Sequence, residues 1–293
     1  MSRVALVTCR QLPEPDHDEE LLLETLRAAG LEAELLAWDY EKADPASFDL
    51  CVPRSCWNYY RDPHAFLDFV ERVGRTSRLL NPPQVVRWNL HKRYLRELEA
   101  GGVPIVPTAF LERGESADLA GVLAERGWEE VVVKPSVSAA SFRTRRFAVA
   151  ELEAAQAFLD LLLGERDVMV QRYMPGVEDP GERALVWIDG ALTHAIQKRA
   201  RFAEEAEEVS DALPISDAER ALAERALGCV EEELLYARID VVPGDAGEVM
   251  LSELELIEPS LFLKQSPEAL ARLVAAIGRA VRITRPRRRT GSR

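Results

Sequence analysis

Short apolar runs alternate with helical patterns over the first part of the chain. Residues 4–9 form a continuous apolar run of strand length, and leucines at helical spacing follow over residues 21–30. Two further apolar runs, at residues 33–37 and 50–52, predict strands, and an apolar helical face at residues 66–74 predicts a second helix. Because strand and helix alternate, the pattern predicts a parallel sheet covered by helices.

Beyond residue 80 the pattern changes to longer helices and paired strands, which is typical of mixed α and β lobes. Asp-Gly and Pro-Gly turn residues mark two hairpins, and Ser216 with Glu219 matches the capping box that begins a helix. The predicted elements are helices at residues 92–100, 119–127, 216–236 and 267–281, an extended segment at 103–108, strands at 130–135 and 168–175, and hairpins at 184–196 and 238–257.

Three carboxylates fall on the last of these hairpins. Side chains alternate between the two faces of a strand, so Glu253 and Glu255 emerge on the same side, and an antiparallel partner strand could bring Asp240 beside them. Carboxylates in apolar surroundings repel one another and lose hydration, and a hard cation such as Mg²⁺ relieves both effects. The alternative is a solvated strand face that is acidic by chance. These residues alone leave both interpretations open.

Basic and hydroxyl residues follow the ends of other predicted strands. Lys134 ends a buried strand, where it needs an anion unless its side chain reaches solvent. The loop at residues 136–144 is rich in small hydroxyl residues that suit phosphate, although an ordinary hairpin loop can have the same composition. Lys198 and Arg199 end the hairpin at residues 184–196.

The carboxyl ends of the predicted parallel strands are a second candidate for ligand contacts, because ligands of such sheets gather there. In this chain those ends carry Arg10 and then a polar and aromatic stretch at residues 54–60, which includes Arg54 and Asn58. Such a cluster suits a small molecule, and packing between loops is the alternative.

Composition narrows the class of protein and its partners. The 293 residues carry a net charge of −13, which disfavours nucleic acid as a main partner. The four cysteines show no Cys-x-x-Cys spacing, and no apolar run is long enough to span a membrane. We therefore expect a cytoplasmic protein with reduced thiols and no membrane partner. The short basic stretch at residues 285–289 is expected to be a solvated, disordered end.

The order of these groups along the chain resembles the ATP-grasp superfamily. That order is a parallel domain, a helix with Lys92, strand-end Lys134, a strand running into residues 171–174, a hairpin ending in Lys198, and finally the acidic hairpin. The pattern is most similar to the glutathione synthetase and RimK-like ligases, and within them to the O-ureido-D-serine cyclo-ligase group. The resemblance is best over residues 81–260 and looser before them.

The resemblance implies an α/β protein with the ATP-grasp fold, in which an N-terminal parallel α/β domain is followed by two α+β lobes that clasp ATP. We expect the N-terminal substrate domain at residues 1–88, the small ATP-grasp lobe at 89–172, the C-terminal lobe with the metal site at 173–284, and a disordered basic tail at 285–293. The oligomeric state stays open, and a homodimer is one option.

The resemblance also implies an enzyme. It would be an ATP-dependent carboxylate–amine ligase that forms an amide through an acyl phosphate on a small amino-acid-like substrate. In the most similar group the ligation is an intramolecular ring closure of an O-ureido-D-serine type of substrate. The alternatives are an ATP-dependent kinase on the same fold and a non-catalytic nucleotide-binding module.

The residues and the resemblance together assign roles to individual side chains. Lys198 and Arg199 match the basic pair that meets the γ-phosphate and the acyl phosphate. ATP is assigned to Lys92, Lys134, Ser138, Ser141, Gln171, Tyr173, Met174 and Glu178, the metal (Mg²⁺, or alternatively Mn²⁺) to Asp240, Glu253 and Glu255, and the substrate to Arg54, Asn58, Arg183 and Ser260.

The chain departs from the family pattern at three places. Glu255 stands where the family has asparagine, which keeps an oxygen ligand and adds a negative charge. Residues 138–141, Ser-Ala-Ala-Ser, replace a glycine-rich loop, and Ala184 stands where an arginine is expected, with Arg183 adjacent.

Two further side chains are not assigned to a ligand. His194 is expected at the hairpin surface, and Trp57 is expected to pack between elements.

Overall fold

The computed structural model describes residues 2–198 and 209–284, and within them the strands form three four-stranded sheets. The first sheet is parallel in the order β2-β1-β3-β4, and helices connect its strands, as the sequence predicts. Its elements are β1 (Arg3–Thr8), α1 (Glu19–Ala28), β2 (Glu32–Ala37), β3 (Leu50–Ser55), α2 (Pro63–Thr76) and β4 (Arg78–Leu79).

Helix α2 shows how local sequence sets an element's bounds. Asp62 begins it by accepting a hydrogen bond from the Ala65 amide, and Pro63 occupies the first turn, where no amide is needed. The helix runs to Thr76 rather than ending at Gly74 as predicted. Gly74 serves close packing instead, because a Cβ atom there would lie 2.9 Å from Cγ of Pro83.

The second sheet is antiparallel in the order β5-β8-β6-β7, with its own apolar core beneath α5 and α6. Its unit consists of α3 (Pro83–Asn89), α4 (Tyr94–Ala100), β5 (Thr108–Leu111), α5 (Leu119–Arg126), β6 (Glu130–Pro135), β7 (Arg145–Ala148), α6 (Leu152–Leu163) and β8 (Val168–Arg172). Lys92 lies in the turn before α4, and its placement inside that helix was wrong. The amides of Tyr94 and Leu95 donate to the carbonyls three residues before them, those of His91 and Lys92, so the chain forms turns here before the α-helix begins.

The third sheet is antiparallel in the order β10-β9-β11-β12. Its unit consists of β9 (Glu182–Ile188), β10 (Ala191–Lys198), α7 (Asp217–Leu227), β11 (Tyr236–Pro243), β12 (Val249–Glu255) and α8 (Pro267–Thr284). Ser216 and Glu219 form the predicted capping box at the start of α7. That helix ends at Leu227 rather than near residue 236, because the chain beyond Gly228 leads into β11.

Helix α8 joins the third unit to the first. Its buried Leu273 and Ile277 belong to one apolar cluster with Leu6 and Leu22 of the first unit and Val186 of β9. The C-terminal helix therefore covers one face of the N-terminal sheet while it packs against the third. None of the helices in the described ranges is long and apolar enough to cross a membrane.

Candidate active site

A cleft of about 250 Å³ lies where the three units meet. The second unit contributes Lys92, Lys134 and the loop at residues 136–144, which we call the phosphate loop. The lining residues are Glu14, Trp57 and Tyr59 from the first unit, Asn89, Lys92, Lys134, Ser138, Ala139, Ala140, Ser141 and Thr144 from the second, and Glu182, Lys198, Arg238, Asp240, Ser252, Glu253, Leu254, Glu255, Glu258 and Ser260 from the third.

The pairing of β11 with β12 brings the three predicted carboxylates together. Asp240 lies opposite Glu253, and Arg238 lies opposite Glu255, so alternate positions on both strands face the cleft. The register shifts directly after Asp240, which bends the ladder next to the acidic residues. The predicted grouping of Asp240, Glu253 and Glu255 on one wall is therefore present in the structure.

Strand β12 is the edge strand of its sheet, and side chains from the second unit occupy its free edge. The Leu254 amide donates to the Tyr94 hydroxyl at 3.0 Å, and the Leu254 carbonyl accepts from Asn89 Nδ2 at 2.8 Å. The Leu256 amide donates to Asn89 Oδ1 at 2.8 Å, and Asn81 Nδ2 donates to the Leu256 carbonyl at 2.7 Å. These bonds replace a neighbouring strand and fix the backbone between the two glutamates.

Ion pairs hold most of the carboxylates. Lys198 Nζ lies 2.7 Å from Asp240 Oδ2 and 2.9 Å from Glu182 Oε2, and Lys92 Nζ lies 2.7 Å from Glu253 Oε1. Arg238 binds both oxygens of Asp240 and also contacts Glu255.

Lys134 differs from the other cationic side chains of the cleft. Within the described part of the chain it forms no ion pair, and burial lowers the pKa of its ammonium group. Its charge is therefore available to an anionic ligand.

Burial and mutual repulsion separate the pKa values of the acids. Burial raises the pKa of Asp240, but the charges of Arg238 and Lys198 outweigh it and bring the value to about 2. Glu255 is different, because burial and the neighbouring carboxylates raise its pKa to about 8 against the opposing charge of Arg238. Burial also raises the pKa of Glu258, to about 7, against the charge of Lys92 and a hydrogen bond from Tyr59. The wall as a whole therefore favours an added cation.

The donor set fits a magnesium ion. Carboxylate oxygens are the protein ligands that Mg²⁺ prefers, and Asp240, Glu253 and Glu255 provide them on one wall. Over residues 2–198 and 209–284 no three acidic, histidine or cysteine side chains converge as a preformed metal cage. We attribute this to the ion pairs with Arg238 and Lys198, which draw the carboxylates toward their own cations.

The phosphate loop lies against the first unit. Lys92 Nζ donates to the Ser138 carbonyl at 3.0 Å, the Tyr59 hydroxyl donates to the same carbonyl at 3.4 Å, and the rings of Phe142 and Tyr60 stack with centroids 4.2 Å apart. Three residues of this glycine-free loop, Ala140, Ser141 and Arg143, have φ between 49° and 53°. They adopt the left-handed conformation that glycine would adopt at lower cost.

The residues predicted to hold adenine and ribose lie outside the cleft lining. Gln171 is buried and donates to Thr108 Oγ1 at 3.1 Å, and Tyr173 and Met174 are buried beside it at the end of β8. Glu178 accepts a hydrogen bond from Arg146 Nη1 at 2.6 Å. These assignments stay predictions.

The predicted substrate residues divide into one that lines the cleft and three that do not. Ser260 lines it. Arg54 is buried, donates to the Pro259 carbonyl at 2.7 Å and lies over the ring of Tyr236. Asn58 accepts from Trp38 Nε1 and donates to Asp39, and Arg183 pairs with Glu219. Arg199 and the predicted basic tail lie outside the described residues.

Sequence reasoning missed several cleft residues, and it misplaced one histidine. Glu258 and Tyr59 line the cleft, as does Trp57, which was expected only to pack between elements. Trp57 follows the carboxyl end of β3, which is the position where a ligand contact is expected in a parallel sheet. His194 is buried rather than at the hairpin surface, and burial lowers its pKa to about 4.

Two antiparallel sheets beside a parallel α/β domain, with basic and acidic residues facing a common cleft, define an ATP-grasp fold. The structure is similar to that of a RimK domain ATP-grasp protein from Sphaerobacter thermophilus, with a TM-score of 0.71 and 22% identity over 94% of this chain and 98% of the other.

Closer relatives narrow the family. A family model described as the N-terminal domain of D-cycloserine synthetase DcsG matches residues 4–81. The chain is 35% identical to the cycloserine biosynthesis protein DcsG of Streptomyces lavendulae, over 94% of this chain and 98% of that protein. A crystal structure of D-cycloserine synthetase DcsG matches with a TM-score of 0.88 and 33% identity, over 96% of this chain and all of the other. The chain belongs to the DcsG family of ATP-grasp ligases. Kinase and non-catalytic functions are not favoured by these relatives.

Proposed function

We propose that this ATP-dependent carboxylate–amine ligase closes a ring within a small D-serine derivative of the O-ureido type. The observation that carries the proposal is the cleft itself, where the cationic side chains of Lys92, Lys134 and Lys198 face an acidic wall. Two of the relatives named above, a cycloserine biosynthesis protein and a D-cycloserine synthetase, support ring closure over ligation of two separate molecules.

The triphosphate of ATP would lie between the phosphate loop and the acidic wall. Lys92, Lys134 and Lys198 would offset phosphate charge, and the backbone amides at residues 138–141 would donate hydrogen bonds to phosphate oxygens. Asp240, Glu253 and Glu255 would hold Mg²⁺, which when bound supplies charge that stabilises the transferring phosphoryl group. Gln171, Tyr173, Met174 and Glu178 remain our candidates for adenine and ribose.

The reaction has two steps that the same cleft can serve. A carboxylate oxygen of the substrate attacks the γ-phosphorus and ADP leaves, which gives an acyl phosphate. The nitrogen on the substrate's side-chain oxygen then attacks the acyl carbon, loses its proton, and phosphate leaves with the electrons of the broken C–O bond. Water afterwards attacks the carbamoyl carbon that an O-ureido substrate leaves on that nitrogen. The bond from the ring nitrogen to this carbon breaks, the nitrogen takes up a proton, and the carbamic acid that is released decomposes to carbon dioxide and ammonia.

The protein's contribution is alignment and the exclusion of water. The phosphate loop is fixed by Lys92 and Tyr59 and packs against Tyr60, so it covers the cleft from the side of the first unit. An acyl phosphate that is shielded in this way reacts with the tethered nitrogen before it is hydrolysed.

The test is ADP release by the purified chain with ATP and Mg²⁺, using O-ureido-D-serine, D-serine and other amino acids, each with and without an added amine. We expect the ureido derivative to support turnover alone, and Glu253→Gln to abolish it. A requirement for a separate amine would replace ring closure with intermolecular ligation. ADP formation that yields a stable phosphorylated substrate, whatever amine is present, would indicate a kinase and refute the proposal.

A further inference from the structure

One of the carboxylates that the third unit contributes to the cleft forms no ion pair with a lysine or arginine of the described ranges. Asp240 and Glu182 pair with Lys198, Glu253 pairs with Lys92, and Glu255 pairs with Arg238. Glu258 is 7% exposed and lines the same cleft, yet no lysine or arginine of the described ranges forms an ion pair with it. The Tyr59 hydroxyl that hydrogen-bonds to Glu258 is neutral, so the charge of this buried carboxylate is not balanced by a direct ion pair, and Glu258 is suited to a cation that a ligand brings.

The backbone around Glu258 is held rigidly by the first unit. Trp57 Nε1 donates to the Glu258 carbonyl at 2.8 Å, and Arg54 Nη2 donates to the next carbonyl, that of Pro259, at 2.7 Å. The Tyr236 hydroxyl of β11 is shared between the preceding carbonyl, that of Ile257, and the carbonyl of Pro53. Three successive carbonyls are thus hydrogen-bonded, which fixes the backbone that carries Glu258.

Glu258 belongs to a different element from the carboxylates assigned to the metal. Those carboxylates belong to β11 and β12, whereas Glu258 follows β12 in the turn that contacts the first unit. Its neighbours in the lining include Trp57 and Tyr59 of the first unit, and the Tyr59 hydroxyl also contacts the Ser138 carbonyl, so Glu258 lies where the first unit, the acidic wall and the phosphate loop meet. A substrate held by the first unit would meet Glu258 at this junction.

We propose that Glu258 binds the α-ammonium group of the amino-acid substrate and thereby selects amino acids over deaminated carboxylates. An ammonium group is compact and carries three donors, so it can satisfy a buried carboxylate that a water molecule would leave charged. The inference rests on the proposed function, because it requires that the substrate carries an amino group next to the carboxylate that is activated.

The experiment compares O-ureido-D-serine with its deaminated counterpart, 3-(ureidooxy)propanoic acid, which keeps both reacting groups. kcat/KM is measured by ADP release for the unmodified protein, Glu258→Gln, Glu258→Asp and the control Glu224→Gln, which removes an exposed carboxylate of α7. We expect the unmodified protein to prefer the amino compound by about 10- to 150-fold, the range for a hydrogen bond between charged groups.

Glu258→Gln should lose most of that preference by reacting more slowly with the amino compound alone. Glu258→Asp should keep part of it, because the charge remains, and Glu224→Gln should keep all of it. The Mg²⁺ concentration for half-maximal rate and the KM for ATP should be unchanged in Glu258→Gln. An equal loss on both compounds, a shifted Mg²⁺ dependence, or an unmodified protein that is indifferent to the amino group would each overturn the inference.

The failure of the proposed function has a different signature. An unmodified protein that releases no ADP with either ureido compound refutes the proposed substrate. The same four proteins are then compared on whichever amino acid of the wider panel supports ADP release, together with its deaminated counterpart. A preference for the amino compound that Glu258→Gln abolishes would support the role of Glu258, and a preference that survives would overturn it.

Discussion

The hydrogen bonds that Asn89 makes to the free edge of β12 allow a sharp test of how the acidic wall is positioned. Asn89 is buried, donates to the Leu254 carbonyl and accepts from the Leu256 amide, both at 2.8 Å. Leu254 lies between Glu253 and Glu255, so the amide of Asn89 holds the stretch of backbone that carries both carboxylates. We expect its replacement to loosen metal and phosphate binding as well as the fold.

The magnitude follows from the two backbone groups involved. Asn89→Ala leaves one buried amide and one buried carbonyl without a partner, and each costs about 1–3 kcal/mol. The loss is therefore about 2–6 kcal/mol, a large part of the roughly 5–15 kcal/mol that stabilises a typical domain. Asn89→Asp keeps an acceptor for the Leu256 amide, but it sets a carboxylate oxygen against the Leu254 carbonyl and buries a charge beside the acidic wall, so we expect it to lose at least as much.

The assay combines denaturant titration with ADP release measured over a range of Mg²⁺ concentrations, at a temperature where each variant is folded. A matched control is Leu159→Ala, in the separate core of the second sheet, which we expect to cost about 2–5 kcal/mol through a cavity. Asn89→Ala should require more Mg²⁺ for half-maximal rate, whereas Leu159→Ala should not. An Asn89→Ala variant with normal Mg²⁺ dependence would refute the positioning argument, whatever its stability.

Three further predictions concern the loop, a buried histidine and a helix packing site. Phe142→Ala removes the stacking of Phe142 on Tyr60, and such an aromatic pair contributes about 0.5–1.5 kcal/mol. We therefore expect the KM for ATP to rise by about 2- to 10-fold in steady-state assays. An unchanged KM would contradict a role of the phosphate loop in closing the cleft. Burial lowers the pKa of His194 from 6.5 to about 4, so only the unfolded chain takes up the proton in that range. Stability should therefore fall by up to about 3 kcal/mol as pH falls from 6.5 to 4, and His194→Gln should flatten this part of the denaturation profile unless another group causes it. Gly74→Ala brings a Cβ atom to 2.9 Å from Cγ of Pro83. The overpacking should cost about 1–3 kcal/mol of stability, which outweighs the gain in helix propensity. A higher melting temperature for this variant would contradict the expectation.

The elements that were predicted correctly are those whose pattern is local. Strand β1 and the start of β3 are continuous apolar runs, and the acidic hairpin has apolar strands joined by turn residues. Helix α7 was predicted too long because leucines and alanines continue beyond its first turns. Its end at Leu227 reflects the start of β11 and the bond from the Leu235 amide to Asn81, a residue 154 positions away. Such a contact leaves no trace in the local pattern.

In the candidate site, too, the residues that local pattern determines were predicted, and those that depend on distant contacts were not. The spacing of Glu253 and Glu255 follows from the alternation of a strand, and Lys134 follows from its place at a strand end. Glu258 follows the strand, where alternation no longer says which way a side chain points. Its burial depends on Trp57, 201 positions earlier in the chain, so nothing in the neighbouring residues indicates it.

The position of α8 limits how the chain can be divided into modules. The sheet at residues 3–79 has one face covered by a helix from the other end of the chain, so a fragment ending near residue 81 would expose the apolar surface of Leu6 and Leu22 to water. Transplanting the first unit between relatives would therefore require the C-terminal helix to be exchanged with it. During synthesis, this apolar face of the first sheet is covered only after α8 has emerged from the ribosome.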